Sequence, residues 1–224
     1  MPVIVFDLDD TLYEEITFVR SGFRAVSRYL KDVYGINEDH SYHLMLEALE
    51  LSGRGQVFDS VLSKFGVLSK KEISRCLSVY RTHTPTIQLY PDAATCLQSL
   101  GGQPMYIVTD GNKHVQQRKL EALGLYEHEQ IRRCFISRRF GIHNEKPSPH
   151  CFEIIRRIEK VSPEQVYYIG DNPNKDFVGI KPLGYRTVRV RRGNFSALSL
   201  TDEFEADKTI LTLMELPQLI RETE

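Results

Sequence analysis

The 224-residue chain lacks several features that mark specialised classes of protein. Lys and Arg total 29 against 30 Asp and Glu, and this net charge of -1 argues against a general attraction to nucleic acid or to an anionic membrane. No apolar run approaches the roughly 20 residues that span a bilayer. The chain opens on Val3–Phe6 and acidic residues, with no basic leader segment. We therefore expect a soluble, cytoplasmic protein with no nucleic-acid or membrane partner.

Cysteine is also scarce. The four cysteines are widely separated and form no Cys-x-x-Cys pair, and the chain is too long to depend on disulfide bonds for its stability. We predict reduced thiols at Cys76, Cys96, Cys134 and Cys151.

Short apolar runs that alternate with helix-like segments are the main pattern that is present. The first run is wholly apolar and is ended by Asp7, which is typical of a central strand covered on both faces. Because strands and helices alternate, we predict an α/β fold with a doubly wound, mostly parallel sheet. The predicted strands are Val3–Phe6, Met105–Val108, Cys134–Ser137, Val166–Ile169 and Thr187–Val190.

One stretch interrupts this alternation. Residues 15–85 contain no convincing strand, and their apolar stripes predict four helices. We therefore predict a catalytic core formed by residues 1–14 and 86–224, with an inserted helical cap over residues 15–85. Near the end of the chain, we predict a loop over 191–205 and a helix over 211–220, and leave 206–210 unassigned.

Two aspartates follow the first predicted strand. Asp7 and Asp9 are two positions apart, so extended geometry places both carboxylates on one side of the chain. Open α/β sheets bind ligands at the carboxyl ends of their strands, and close carboxylates need a divalent cation or a shared proton to relieve their repulsion. Taken alone, the pair fits an acidic turn or helix cap equally well. Its position after the first strand favours a functional site.

Thr109 and Asp110 follow the second predicted strand and precede a helix that ends before Gly124. The threonine hydroxyl and the N–H groups of the turn and helix start are suitable donors to a phosphate. A plain N-cap turn is the simpler interpretation of this segment alone.

Lys146 precedes Pro147, which favours an extended backbone at the lysine, and a predicted helix follows with Ser148 as its cap and Pro149 as its first residue. A lysine fixed at this edge of the sheet can neutralise a phosphoryl group. Taken alone, Lys146 fits a solvated loop better.

Asp171 and Asp176 follow the fourth predicted strand. Asp171 is placed to share a metal with Asp7, since carboxylates, a backbone carbonyl and waters suit octahedral Mg²⁺. Asp176 fits a supporting position, in which it holds a metal-bound water or Lys146. A tight turn before a capped helix explains the segment equally well. All four segments, however, follow predicted strands at one edge of the sheet, and coincidence explains the whole set poorly.

The ordered set of segments resembles the motifs of the haloacid dehalogenase-like (HAD) superfamily, in its phosphatase branch with an inserted helical C1-type cap. The resemblance covers nearly the whole chain and includes the helical insertion. Asp7–Thr11 is similar to the first motif, Thr109 to the second, Lys146 to the third, and Gly170 and Asp171 with Asp176 to the fourth.

The resemblance implies a Mg²⁺-dependent phosphomonoesterase. Asp7 would attack phosphorus to form an aspartyl-phosphate. Asp9 would protonate the leaving alcohol and later deprotonate the attacking water. The metal would be held by Asp7, Asp171 and the backbone carbonyl of Asp9.

Thr109, Lys146 and the backbone N–H groups near Leu8 and Asp110 would offset charge on the phosphoryl group. Thr11 would brace the first loop. Asp110 departs from the family, in which asparagine or serine is common at this position, and we expect only its backbone N–H to serve. Dehalogenases lack an acid at the position of Asp9, so this residue favours phosphate esters.

The expected substrate is a small phosphorylated metabolite: a sugar phosphate, a phosphorylated sugar acid or a nucleotide. Arg54, between two glycines of the predicted cap, is a candidate to bind an anionic group of the substrate, although a plain helix connector is the simpler interpretation. A sugar-phosphate mutase on the same fold and a catalytically idle binding protein remain alternatives. The sequence does not determine the oligomeric state.

Overall fold

The computed structural model describes residues 1–223 and divides them into two compact units. The α/β unit comprises Met1–Glu15 and the chain from Gln88 onward, and the helical unit comprises Ile16–Ile87. The helices are α1 Glu15–Tyr34, α2 Glu38–Ser52, α3 Val57–Lys64, α4 Lys70–Thr82, α5 Pro91–Ser99, α6 Lys113–Ala122, α7 His150–Glu159 and α8 Leu216–Thr223. The strands are β1 Val3–Phe6, β2 Met105–Thr109, β3 Ile131–Ile136, β4 Val166–Gly170, β5 Arg186–Val190 and β6 Lys208–Ile210.

The α/β unit is built on one six-stranded sheet with the order β3-β2-β1-β4-β5-β6, and every neighbouring pair is parallel. This topology confirms the predicted doubly wound α/β fold. Strand β1 lies inside the sheet between β2 and β4, and its four residues are fully buried. An apolar run without alternation is required at such a position because both faces of the strand are covered.

Several local predictions differ from the structure. The strand predicted over Cys134–Ser137 is β3, which begins at Ile131 and ends at Ile136, so Ser137 lies outside it. Lys208–Ile210, in the unassigned stretch, forms the edge strand β6 beside β5. The closing helix α8 begins at Leu216, after a 3₁₀ turn over Leu213–Glu215, rather than at residue 211. Pro149 is the N-cap of α7 rather than its first residue. Apart from β6, which is a whole strand, these differences lie at element ends, where side-chain periodicity carries little information.

The helical unit has its own apolar core. Val19, Phe23, Val26 and Leu30 of α1 are buried in a cluster that includes side chains of α2, α3 and α4. Gly22 lies against the ring of Tyr80, where a Cβ atom would be 2.4 Å from a ring carbon. The close approach of α1 to α4 therefore depends on the absence of a side chain at residue 22. Among the described residues, none of the helices is both long and apolar enough to span a membrane.

All four cysteines are free and buried within the described structure. Burial raises the pKa of each thiol to about 12. They are therefore packing residues rather than nucleophiles.

Candidate active site

The carboxyl ends of β1, β2 and β4 bring three of the chemically important segments together. These strands are neighbours in the sheet, so the residues that follow them emerge side by side at one edge. Asp7 continues β1 through a hydrogen bond from its backbone N–H to the carbonyl of Ile169, at 2.8 Å. Asp171 follows β4 directly, and Thr109 is the last residue of β2.

Lys146 joins this edge from the loop before α7. Its side chain is 1% exposed, and Nζ donates to Asp7 Oδ1 at 2.5 Å, to Asp176 Oδ1 at 2.7 Å and to the Tyr168 hydroxyl at 2.6 Å. Burial alone would lower the pKa of the lysine, but the charges of Asp176 and Asp7 outweigh it and the pKa is raised. Lys146 is therefore a fixed ammonium group beside Asp7.

Asp176 holds this lysine in place. Its Oδ1 also accepts from the Tyr168 hydroxyl at 3.1 Å, and its Oδ2 accepts from the backbone N–H of Asn172 at 2.9 Å. A Cβ atom on Gly170 would lie 2.4 Å from Asp176 Oδ2, so the carboxylate occupies space that only glycine leaves open. Asp176 is thus committed to the protein framework of the site.

Asp7 and Asp171 form the acidic part of the site. Oxygens of Asp7, Asp171 and Asp176 lie within 4.8 Å of one another, and all three residues are buried. Burial, followed by the repulsion of Asp176, raises the pKa of Asp171 to about 9. Burial also raises the pKa of Asp7 to about 7, although Lys146 opposes this shift.

The arrangement around Asp171 fits a divalent cation. Within residues 1–223, no side chain or backbone group makes a hydrogen bond or ion pair with the Asp171 carboxylate, although the residue is only 3% exposed. Buried carboxylates without partners are costly, and a hard cation with oxygen ligands is the usual compensation. Asp7 and Asp171 are the two side chains with oxygens suited to this purpose.

Asp9 has a different environment from Asp7. Its Oδ1 accepts from the Tyr13 hydroxyl at 2.5 Å and from Lys119 Nζ at 2.6 Å, and its Oδ2 accepts from Gln116 Nε2 at 2.8 Å. Burial would raise the pKa of Asp9, but the charge of Lys119 and these hydrogen bonds outweigh it, and the pKa is lowered. The Asp9 carboxylate is therefore stabilised by the protein alone.

Thr109 and Asp110 lie in the loop between β2 and α6. Thr109 Oγ1 accepts from Gln116 Nε2 at 2.6 Å. The Asp110 carboxylate accepts from the Ser137 hydroxyl at 2.6 Å and from the Lys146 backbone N–H at 3.1 Å, and it pairs with Lys175 Nζ at 3.3 Å. Burial opposes ionisation of Asp110, but the charges of Lys146 and Lys175 lower its pKa. These contacts connect the Asp110 side chain to the loops that carry Lys146 and Lys175.

The first loop is held by backbone hydrogen bonds and by Asp10. The carbonyl of Leu8 accepts from the backbone N–H groups of Thr11 and Leu12. The hydroxyl of Thr11 is buried and, among the described residues, has no hydrogen-bond partner. Asp10, in the left-handed region at φ 54°, instead accepts from the backbone N–H groups of Glu15 and Asn194.

Comparison with known proteins agrees with this geometry. A family model described as haloacid dehalogenase-like hydrolase matches residues 1–184. The chain belongs to the haloacid dehalogenase-like hydrolase family. Membership confirms the resemblance that the ordered motifs indicated.

Three relatives show sequence similarity to this chain, two of them over nearly its whole length and one over part of it. A glyceraldehyde 3-phosphate phosphatase of Methanopyrus kandleri is 29% identical, over 98% of this chain and 97% of the relative. A phosphoserine phosphatase of Thermus thermophilus is 32% identical, over 62% of this chain and 55% of the relative. The crystal structure of a HAD phosphatase from Thermococcus onnurineus is 26% identical, with a TM-score of 0.61 over 98% of both chains.

Arg54 is the one candidate residue that belongs to the helical unit. It lies between α2 and α3 and is exposed to solvent. The remaining candidates all belong to the α/β unit.

Sequence reasoning missed four side chains of the hydrolase site: Tyr13, Gln116, Lys119 and Tyr168. Gln116 and Lys119 are three positions apart on α6, so they share a helix face, and this spacing was the available signal. A lysine in a polar helix is ordinarily solvated, which is why the pattern was not recognised. Tyr168 is indistinguishable in sequence from the other aromatic residues of a buried strand.

Proposed function

We propose that this hydrolase is a Mg²⁺-dependent phosphomonoesterase that acts on a small phosphorylated metabolite through an aspartyl-phosphate on Asp7. The observation that carries the proposal is the meeting of Asp7, Asp171 and the fixed ammonium of Lys146 at the carboxyl edge of the sheet. A nucleophile, a cation site and a positive charge are the groups that phosphoryl transfer requires. The phosphatase names of the curated relatives support the same activity.

Asp7 is the proposed nucleophile. Lys146 fixes its Oδ1, and within the described residues Oδ2 has no hydrogen-bond partner. A carboxylate held in one orientation with one free oxygen is prepared for in-line attack on phosphorus. The attack converts one difficult hydrolysis into two easier half-reactions.

Asp7, Asp171 and the backbone carbonyl of Asp9 would hold Mg²⁺. When bound, the ion supplies positive charge that screens Asp7 from the incoming phosphate and stabilises charge on the phosphoryl oxygens. Lys146 adds a second positive charge from the protein. The Thr109 hydroxyl and the backbone N–H groups of Leu8 and Asp110 supply neutral donors.

Asp9 is the proposed proton-transfer group. It protonates the leaving alcohol in the first half-reaction and removes a proton from water in the second. As an ionised carboxylate it is ready for the second role. For the first role it must take up a proton, and Oδ2 is the oxygen with fewer hydrogen bonds.

The relatives suggest where to begin the search for the substrate. Glyceraldehyde 3-phosphate and phosphoserine are both small, and both carry a phosphate on a primary alcohol. We propose a phosphate monoester of this size, with Arg54 as a candidate to bind a second polar or anionic group. The four free, buried cysteines are compatible with action in the reducing cytoplasm.

Phosphate release from 4-nitrophenyl phosphate and from a panel of phosphorylated metabolites, with Mg²⁺ or with EDTA, tests the proposal. We expect Mg²⁺-dependent turnover that Asp7→Asn lowers by at least about 10³-fold while the protein stays folded. Asp32→Asn, at an exposed position of α1, is the matched control and should leave the rate unchanged. Undiminished turnover by Asp7→Asn, isomerised product without free phosphate, or no turnover by the unmodified protein would contradict the proposal.

A further inference from the structure

The Asp9 carboxylate is almost fully occupied by donors from its own unit. The two oxygens of a carboxylate accept hydrogen bonds at about four positions. Tyr13 and Lys119 occupy two positions on Oδ1, and Gln116 occupies one on Oδ2. The position that remains is on Oδ2, so the three donors select one oxygen for contact with substrate.

Gln116 connects this carboxylate to the phosphate-binding candidate Thr109. Because a carboxylate only accepts hydrogen bonds, the amide nitrogen of Gln116 must face Asp9, and its second hydrogen reaches Thr109 Oγ1 at 2.6 Å. Since Thr109 Oγ1 accepts this bond, its own hydrogen is left to donate to a phosphoryl oxygen. The side-chain amide of Gln116 therefore orients both the Asp9 carboxylate and the Thr109 hydroxyl.

Burial of a charged lysine, Lys119, beside Asp9 is energetically unfavourable by itself. Its side chain is 4% exposed, and Nζ lies 2.6 Å from Asp9 Oδ1 and 3.7 Å from Glu15 Oε1. Burying an ammonium group carries a large desolvation penalty, and a well-packed apolar residue often gives equal stability at such a site. The contact between Lys119 and Asp9 is therefore better explained by a need to orient the Asp9 carboxylate than by a contribution to the stability of the fold.

We propose that Lys119, Gln116 and Tyr13 are positioning residues that hold Asp9 Oδ2 where protons are transferred to the leaving alcohol and from the attacking water. This inference rests on the proposed phosphatase function, and it adds three residues outside the four motifs to the machinery of the reaction. Because Lys119 and Tyr13 act through Asp9, their loss should have little effect where Asp9 itself cannot transfer protons, whereas loss of Gln116 would also disturb Thr109.

A double-mutant cycle tests this dependence. The rates of the unmodified protein, Lys119→Met, Asp9→Asn and the double variant are measured with 4-nitrophenyl phosphate, whose weakly basic leaving group preserves residual turnover. We expect Lys119→Met to lower kcat about 10- to 100-fold with little change in KM. In the Asp9→Asn background, the same substitution should change kcat by less than about twofold. Equal losses in the two backgrounds would show a merely structural role and overturn the proposal.

Two further variants complete the test. Arg118→Met removes a charge from the neighbouring, exposed position of α6 and should leave kcat unchanged in both backgrounds. Tyr13→Phe removes one donor while keeping the buried ring, so it carries the test if Lys119→Met does not fold. It should show the same dependence on Asp9 with a smaller loss, and equal losses in both backgrounds would again overturn the proposal. Loss of turnover in the unmodified protein would instead contradict the proposed function, which separates the two failures.

Discussion

Asp7 and Asp9 are two residues apart on one loop, yet the surrounding groups shift the pKa values of their carboxylates in opposite directions. Around Asp7 and Asp171, carboxylates outnumber nearby cations, and burial raises the pKa of Asp7 to about 7 and of Asp171 to about 9. Around Asp9, one ammonium and two neutral donors outweigh burial and lower the pKa. The first region therefore has excess negative charge, whereas the charge of Asp9 is compensated by side chains of the protein.

The difference assigns distinct chemistry to similar residues. A region with uncompensated negative charge is suited to a metal ion, and a carboxylate stabilised by side chains is suited to proton transfer without metal coordination by its oxygens. Environment, rather than residue type, therefore separates the two roles that we propose for Asp7 and Asp9, as in other pairs of active-site carboxylates.

The largest expected effect on stability comes from removing Lys146, the cation that pairs with both Asp7 and Asp176. Lys146→Met leaves Asp7 and Asp176 buried without their counter-charge, so we expect the free energy of unfolding to fall by about 3–5 kcal/mol. Urea unfolding in the presence of EDTA measures this loss. The matched control is Arg28→Met, which breaks an exposed pair with Glu38 and should cost less than about 0.5 kcal/mol. Similar losses in the two variants would contradict our account of the site.

The next prediction compares the two carboxylates directly. Asp171→Asn removes a buried carboxyl group whose pKa is raised to about 9, and which must therefore take up a proton when the protein folds at about pH 8 without Mg²⁺. The substitution abolishes this cost, so it should raise the free energy of unfolding by about 1–3 kcal/mol. Asp9→Asn removes the nearest carboxylate from the buried ammonium group of Lys119 and should lower the free energy of unfolding by about the same amount. Urea unfolding of both variants in EDTA measures these changes. If the free energy of unfolding changed in the same direction in both variants, the contrast between the two carboxylates would be wrong.

The pH dependence of metal stabilisation is a third test. Because the folded-state pKa values of Asp7 and Asp171 lie above the usual aspartate value of 3.8, the folded protein retains protons that the unfolded chain has released. Stability without metal should therefore fall as pH rises from about 4 toward about 9. Since Mg²⁺ needs ionised ligands, the Tm gain on adding it should be larger at about pH 8 than at about pH 6, by a few °C. A gain that is equal at both pH values, or smaller at the higher one, would contradict this linkage; a potassium salt of equal ionic strength is the control.

The smallest expected effect concerns the first loop. Thr11 carries a buried hydroxyl that, within the described structure, has no hydrogen-bond partner. Thr11→Val keeps the shape and removes the unsatisfied group, so the free energy of unfolding should change by less than about 1 kcal/mol, toward greater stability. Thermal unfolding measures it. A clear loss of stability would show that the Thr11 hydroxyl braces the loop after all.

Much of the sheet was predictable because short apolar runs without alternation are typical of strands buried on both faces. Val3–Phe6 is typical of a strand covered on both faces, and the residue that follows such a strand emerges at the ligand-binding edge of a parallel sheet. The edge strand Lys208–Ile210 was not predictable, since two of its three residues are exposed and only pairing with β5 makes it a strand.

The sequence by itself determined the α/β class, the order of the motifs and the identities of Asp7, Asp9, Thr109, Lys146 and Asp171 as candidates, because each follows from local periodicity and position along the chain. Only the tertiary structure decided which carboxylate meets which cation. Lys119 is 110 residues from Asp9, and Lys146 is 139 residues from Asp7. Electrostatic environment depends on distance in space and on burial, and neither is encoded in the spacing of residues along the chain.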